Sequence, residues 1–130
     1  MNMIKSFRSL FIILALLCGS AVGLWAAEPP PEDAAFADKL LTAIQKSDYD
    51  MFIADGEAAF KQVNKAQFEV LTIKLAKKLQ AGHTITYLGD MNQKGNRVTL
   101  WKISFKDGSD DELASLKIKN GKVLSFFVRG

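Results

Sequence analysis

The spacing of the apolar residues changes from a helical period to a strand period at Gly82. Before this glycine, apolar residues recur every three or four positions, as they do in amphipathic helices. After it, apolar and polar residues alternate in short stretches that are separated by turn sequences, as they do in a sheet. Because the helical segments precede the strands, the sequence predicts an α+β fold in which helices pack on one antiparallel sheet.

Three helices are predicted before Gly82. The first follows Asp33 as its N-cap, the second is short and follows Asp48, and the third follows Asn64, each a residue type that caps helix N-termini. The sequence does not assign the stretch 58–62. The apolar stripe of the first helix consists of Phe36, Leu40, Leu41 and Ile44.

Four strands are predicted after Gly82, in the segments 84–91, 96–106, 112–119 and 122–128. In the second strand, Trp101, Ile103 and Phe105 alternate with more polar residues and should share one buried face. Turn sequences between consecutive strands predict an antiparallel meander of four strands, curved over the helices.

The dipeptide Asn120-Gly121 predicts a tight hairpin between the last two strands. With a two-residue loop, Ile118 lies opposite Val123, Leu116 opposite Ser125, and Ala114 opposite Phe127. The other face of the sheet would then carry Leu124, Phe126 and Val128, which we predict to form the contact surface of a homodimer.

The acidic segment KDGSDDE, residues 106–112, raises the question of a cation site or a catalytic site. Its acids are bunched, whereas a calcium loop alternates them over twelve residues. Asp107-Gly108 fits a turn between strands, so we predict a solvated loop; a weak cation site and catalysis are the alternatives. His83 is the only histidine, and no metal site is predicted with it.

Four aromatic residues are candidates for the lining of a ligand cavity: Tyr49, Phe52, Tyr87 and Trp101. Their hydroxyl and indole groups would supply a few polar contacts in an apolar pocket. The alternative is that these rings simply fill the core, as aromatic residues at strand and helix spacing usually do.

The first 26 residues have the pattern of an export signal. Lys5 and Arg8 precede an apolar run from Leu10 to Ala27, and a polar segment follows. We predict cleavage near Ala26, a proline-rich spacer over 27–33, a domain over 34–130, and a periplasmic or secreted location. An uncleaved membrane anchor and a lipid on Cys18 are the alternatives, and a membrane contact is predicted only through this segment if it is not cleaved. Removing residues 1–26 lowers the basic count from 17 to 15, so 15 − 14 gives a net charge of +1. That charge does not support a nucleic-acid partner.

Two segments carry a resemblance to a known superfamily: FADKLLTAIQKSDYDMFIADG and TLWKISFKDGSDDELASLKIKNGKVLSFFV. They are similar to small exported bacterial members of the nuclear-transport-factor-2-like superfamily, also described as ketosteroid-isomerase-like or cystatin-like. The resemblance implies a cone in which a curved sheet wraps round the first helix and encloses a cavity. It also implies dimers through the outer sheet face. The superfamily contains isomerases, dehydratases, cyclases and non-catalytic binding modules.

An exported, non-catalytic domain that binds a small apolar ligand or a protein partner is the function we predict first. An isomerase or cyclase using the cavity, and a structural dimerisation or assembly module, are the alternatives. An isomerase of the resembled kind needs an acid on the inner sheet face. The predicted inner face reads Arg97, Thr99, Trp101, Ile103 and Phe105, with no carboxylate. No catalytic residue and no cofactor is therefore predicted.

Overall fold

The computed structural model describes residues 28–130, in which four helices precede a four-stranded antiparallel sheet. The predicted signal 1–26, including Cys18, lies outside the described residues. The helices are α1 (Pro31–Lys46), α2 (Tyr49–Ile53), α3 (Ala58–Lys61) and α4 (Lys65–Gln80). The strands are β1 (His83–Gln93), β2 (Asn96–Phe105), β3 (Glu112–Lys119) and β4 (Lys122–Arg129). The α+β prediction is confirmed.

The described part of the chain has one helix more than the three predicted, because residues 58–61 form the single turn α3. The Glu57 carboxylate caps this turn by accepting a hydrogen bond from the Ala59 N–H at 3.2 Å. Phe60 then points into the core and is 5% exposed. A four-residue helix contains too little periodicity to be recognised from sequence alone.

Two of the three predicted helix caps are confirmed. Asp48 accepts a hydrogen bond from the Met51 N–H at 3.0 Å, and Asn64 accepts one from the Ala66 N–H at 2.9 Å. The prediction that Asp33 caps α1 is wrong, because the helix already begins at Pro31, inside the predicted spacer. Proline is well suited to a first helical position, since its missing N–H would have no partner there.

The sheet is a meander in the order β1-β2-β3-β4, as predicted. Its inner face carries Trp101, Ile103 and Phe105, which are all buried. Helices α1 and α4 pack against each other and cover this face. Buried side chains from both layers form one hydrophobic core, including Leu40, Ile44, Leu75, Leu79, Ala114, Leu116 and Phe126.

Two β-bulges change which residues share a face. In β1 the register shifts between Tyr87 and Gly89, and in the β3–β4 hairpin an extra residue, Leu124, enters β4. The predicted pair Ile118–Val123 next to the turn is confirmed. Beyond the bulge the predicted register is wrong: Leu116 lies opposite Phe126 rather than Ser125, and Ala114 lies opposite Val128 rather than Phe127.

A short segment between α2 and α3 lies along the free edge of β4. Gly56 forms a parallel bridge with Val123, the Glu57 N–H donates to the Val123 carbonyl at 2.8 Å, and the Val123 N–H donates to the Asp55 carbonyl at 2.9 Å. Lys39 of α1 forms an ion pair with Asp55. A side chain on Gly56 would place its Cβ 2.5 Å from the Phe60 ring, so only glycine fits.

The acidic loop between β2 and β3 is the predicted turn, except at its last residue. The Asp107 carboxylate accepts a hydrogen bond from the Ser109 N–H at 2.8 Å, and Gly108 has a φ of +82°. Glu112 does not belong to a solvated loop, because it is the first residue of β3 and only 9% exposed. Its carboxylate lies 3.8 Å from the Lys78 ammonium of α4.

Candidate functional site

The four aromatic cavity candidates form two separate groups. Tyr49 and Phe52 of α2 pack on Phe68 of α4, with ring centroids 5.6 and 4.9 Å away. Tyr87 of β1 packs on Trp101 of β2 at 5.2 Å. Within residues 28–130, no aromatic pair joins one group to the other. The four rings therefore do not surround a common cavity.

Three of these four side chains have the contacts of core residues. Phe52 and Trp101 are 4% and 3% exposed, and the Trp101 indole N–H donates to the Thr99 hydroxyl at 3.0 Å. The Tyr49 hydroxyl donates to the Val63 carbonyl at 2.6 Å. Because their polar groups are already used inside the protein, these residues fit the packing interpretation better than the ligand interpretation.

A small apolar pocket does lie beside Phe52, where α2, α3 and α4 approach the end of β4. Its volume is about 250 Å³. That is smaller than the roughly 300–1,000 Å³ typical of sites for drug-sized ligands. Its walls are almost entirely apolar and consist of Phe52, Phe60, Val63, Gln67, Phe68, Leu71, Phe126, Phe127 and Val128.

A polar cluster occupies the inner sheet face near the N-terminus of α1. The Tyr87 hydroxyl lies 3.5 Å from the Asp90 carboxylate, and the Arg97 guanidinium donates to the Asp33 carboxylate at 3.1 Å. Asp33 is 1% exposed, whereas Asp90 and Arg97 are exposed. A carboxylate therefore does lie on the inner face, and the expectation that this face carries none is wrong.

The bulge in β1 explains why sequence reasoning missed Asp90. Without the bulge, Asp90 would alternate with Tyr87 and lie on the outer face; with it, Asp90 pairs with Thr99, whose side chain is buried inside. Gly89, with a φ of +138°, was the available signal, since a glycine inside a strand often marks a bulge.

The electrostatics of this cluster centre on Tyr87 and Asp33. Partial desolvation, followed by the neighbouring Asp90 carboxylate, raises the pKa of Tyr87 above its ordinary value. Asp33 lies in the first turn of α1, where the helix dipole favours a negative charge, and Arg97 neutralises it. The cluster can thus donate hydrogen bonds to a polar ligand through the Tyr87 hydroxyl and the remaining Arg97 N–H groups.

The outer sheet face carries both apolar and basic side chains. Met91, Leu113 and Phe127 are 46%, 42% and 57% exposed, and a shallow depression of about 250 Å³ lies between them. The register places the following side chains on this face: Thr84, Thr86, Met91, Gln93, Asn96, Val98, Leu100, Lys102, Ser104, Leu113, Ser115, Lys117, Lys119, Lys122, Ser125, Phe127 and Arg129. None of these residues is an aspartate or a glutamate.

The three residues predicted to form a dimer surface, Leu124, Phe126 and Val128, do not lie together on this outer face. Phe126 points inward and is 7% exposed, and Val128 shares the inner face with Ala114. Leu124 is the half-buried extra residue of the bulge. Phe127, which the sequence prediction placed inside, is instead the most exposed aromatic side chain of the strand.

His83 and the acidic residues provide no metal site in the part of the chain that the structure describes. The His83 Nδ1 lies 3.1 Å from the Leu79 carbonyl in the last turn of α4, as expected for a polar residue after a helix C-terminus. No three His, Cys, Asp or Glu side chains within residues 28–130 converge as metal ligands would. In the same range, no helix is long and apolar enough to cross a bilayer.

Comparison with known proteins gives no match. No protein-family model fits the chain, and no curated protein and no solved structure is significantly similar to it. The inference of function therefore depends on the geometry of residues 28–130, and above all on the two sheet faces.

Proposed function

We propose that this chain is an exported, non-catalytic binding domain with a nuclear-transport-factor-2-like cone fold, and that the outer sheet face is its binding surface. The fold proposal is supported by the four-stranded meander and by α1 packed on its inner face. The export proposal is supported by the basic and apolar pattern of residues 1–26.

The exposure of Phe127 is the observation that carries the binding proposal. This ring is 57% exposed on the edge strand β4, on a face that also exposes Met91 and Leu113. Contiguous apolar surface of this kind on a soluble domain usually marks an interaction site. Because the helices cover only the inner face, nothing within residues 28–130 covers the outer one.

The charges on this face favour a partner that differs from a second copy of the chain. Two outer faces brought together would place the basic residues of both copies, Lys102, Lys117 and Arg129 among them, in one interface to which the strands bring no acid. Like charges in direct contact across an interface are unfavourable by several kcal/mol. A homodimer through this face is therefore the alternative, and a partner with negative charges is the proposal.

Radical footprinting tests whether the outer face is occupied in the cell. Hydroxyl radicals oxidise exposed methionine and phenylalanine, so Met91 and Phe127 should be oxidised in the purified chain and protected in intact cells that express it. Val70 and Ile73 on α4, which are 64% and 82% exposed, are the internal controls and should react equally in both samples. Equal oxidation of Phe127 in both samples would remove the proposal.

An enzyme of the isomerase or cyclase type is the second candidate, and the Tyr87–Asp90 contact on the inner face favours it. In such an enzyme, a tyrosine hydroxyl stabilises a developing oxyanion and a nearby carboxylate moves a proton. A titration with phenolate-type oxyanion mimics tests it, with Trp101 fluorescence as the readout. Binding that is lost in Tyr87→Phe and retained in Phe127→Ser would support the enzyme; no binding would count against it.

A small apolar ligand in the pocket beside Phe52 is the third candidate. Its volume of about 250 Å³ admits only a compact molecule. An apolar dye whose fluorescence rises in a dry environment should bind there, and Leu71→Trp should block it by filling the pocket. Dye binding that Leu71→Trp leaves unchanged would exclude this site.

A further inference from the structure

We infer that the outer sheet face binds the surface of an anionic lipid bilayer. This inference rests on the proposed function, since it names the partner of the same surface. The observation behind it is that an exposed phenylalanine, Phe127, shares with several basic residues a sheet face whose strands place no acid on it.

Basic residues are concentrated on the outer face of the domain. Residues 28–130 contain 15 basic residues and all 14 acids of the chain. Five of the basic residues lie on the outer face: Lys102, Lys117, Lys119, Lys122 and Arg129. The remainder of the domain then carries 10 basic residues and 14 acids, for a net charge of −4, and one of these acids, Glu57, lines a depression with Lys119 and Lys122 at the end of the hairpin. A negatively charged surface would therefore orient the domain with this face toward it.

The exposed apolar side chains of the face distinguish a bilayer from a purely electrostatic partner. Proteins that lie on membranes combine apolar side chains that enter the headgroup region with Lys and Arg that contact anionic lipids. Phe127, Met91 and Leu113 supply the first group. Each basic residue near an anionic leaflet contributes about 1 kcal/mol, so five of them give measurable binding without a deep insertion.

The N-terminal sequence adds an independent reason for choosing lipid over an acidic protein. Residues 1–26 have the pattern of an export signal, with Lys5 and Arg8 before an apolar run. A chain with such a segment meets a membrane surface before it reaches any soluble partner. The folded domain is thus delivered next to the kind of surface that its basic face complements.

The test mixes the full chain with lipid vesicles. The chain carries a fluorophore whose emission changes when it moves from water to lipid. Cys18→Ser removes the natural thiol, and Gln93→Cys places the label on the exposed rim of the outer face. With vesicles of phosphatidylglycerol and phosphatidylcholine, the emission should shift to the blue; with phosphatidylcholine alone, it should not. Lys5 and Arg8 of the N-terminal segment also favour anionic lipid, so the deciding comparison is between variants of the folded domain that leave this segment unchanged.

Two double variants test whether binding depends on the basic residues of the outer face or only on the net charge of the domain. Lys117→Glu with Arg129→Glu should weaken the blue-shifted state at least about tenfold, since four units of charge change at the surface. Lys74→Glu with Lys77→Glu makes the same change on the exposed side of α4 and should leave the shift intact. As a control, a fluorophore attached at Val70→Cys on α4 should show the emission of a fluorophore in water even when anionic vesicles are present.

Three results would overturn the inference: an equal shift in both lipid compositions, no shift at all, or an equal loss in the two charge variants. Such a result together with protection of Phe127 in cells would leave the proposed binding surface in place with a partner other than lipid. Exposure of Phe127 in cells would remove the proposed function itself, so the two failures are distinguishable.

Discussion

Phe126 and Phe127 are adjacent in β4, yet the first ring is 7% exposed and the second is 57% exposed. Neighbouring residues in a strand point to opposite faces, so which of the two is buried depends only on the register. The extra residue Leu124 shifts that register by one. As a result, Phe126 lies in the core and Phe127 lies on the outer face.

This relationship predicts unequal effects of the same substitution at the two positions. Phe126→Ala should lower the free energy of unfolding by about 3–5 kcal/mol, because it leaves a cavity in the core. Phe127→Ala should change it by less than about 1 kcal/mol, because the ring is mostly in solvent. Urea denaturation of both variants measures the difference, and equal losses would contradict the observed register.

The ion pair between Asp33 and Arg97 should contribute to stability because one partner is buried. Arg97→Gln leaves a carboxylate of 1% exposure without its cation, which should cost about 1–3 kcal/mol. Arg129→Gln, on the exposed outer face, is the control and should cost less than about 0.5 kcal/mol. A double-mutant cycle with Asp33→Asn measures the coupling, and a coupling near zero would show that the pair contributes nothing.

The pKa of Tyr87 should fall when Asp90 is replaced by asparagine. After desolvation, the charge and hydrogen bonding of Asp90 are the largest causes that raise this pKa above 10.0. Because the folded-state pKa is raised, the contact adds stability below the unfolded value and loses it as the pH rises through the folded value. An NMR titration of the Tyr87 ring in wild type and Asp90→Asn measures the shift. An unchanged pKa would mean that the contact is absent in solution.

Replacing Glu112 by a residue of similar size should stabilise the domain. One carboxylate oxygen of Glu112 is buried without a hydrogen-bond partner, and the other is 3.8 Å from Lys78. Glu112→Met removes this uncompensated polar group and should add about 1 kcal/mol to the free energy of unfolding. Lys78→Met in the wild-type background should lower it, because the carboxylate remains. Thermal unfolding of the two variants gives the signs, and a destabilising Glu112→Met would show that the charge is needed.

Most elements of the fold follow from local patterns in the sequence. Asp48 and Asn64 cap their helices as predicted, and the turn at Asn120-Gly121 has the positive φ angles expected of its residues. The alternation around Trp101 identifies the inner face because apolar burial in a strand has a period of two. These features depend on residues that are neighbours in the chain, so a single sequence is enough to predict them.

The candidate site was less predictable because it depends on two inserted residues. Each bulge moves every later side chain of its strand to the other face, so an error of one position exchanges the inner and outer sets. Phe126 and Phe127 were misplaced for this reason, and Asp90 was not recognised as an inner-face residue. Gly89 gave a signal for the first bulge, whereas Leu124 lies in the nearly continuous apolar run VLSFFV, in which no single residue is marked as the insertion.

The burial of Asp33 and Glu112 had no local signal either. Both residues are followed or preceded by polar neighbours that suggest solvent, and their partners Arg97 and Lys78 are 64 and 34 positions away. Pairing over such distances depends on how α1 and α4 lie on the sheet. A single sequence, read without the tertiary arrangement, does not specify these pairings.

The parallel bridge between Gly56 and Val123 affects how copies of this domain could join. Strand addition, the route to filaments and amyloid, needs an unpaired backbone edge at both ends of each sheet. Here the start of β4 already hydrogen-bonds to residues 55–57, so a strand added along the whole of β4 would first have to break those bonds. Among the described strands, β1 has no such segment along its edge, so a second molecule would add there more readily than at the start of β4.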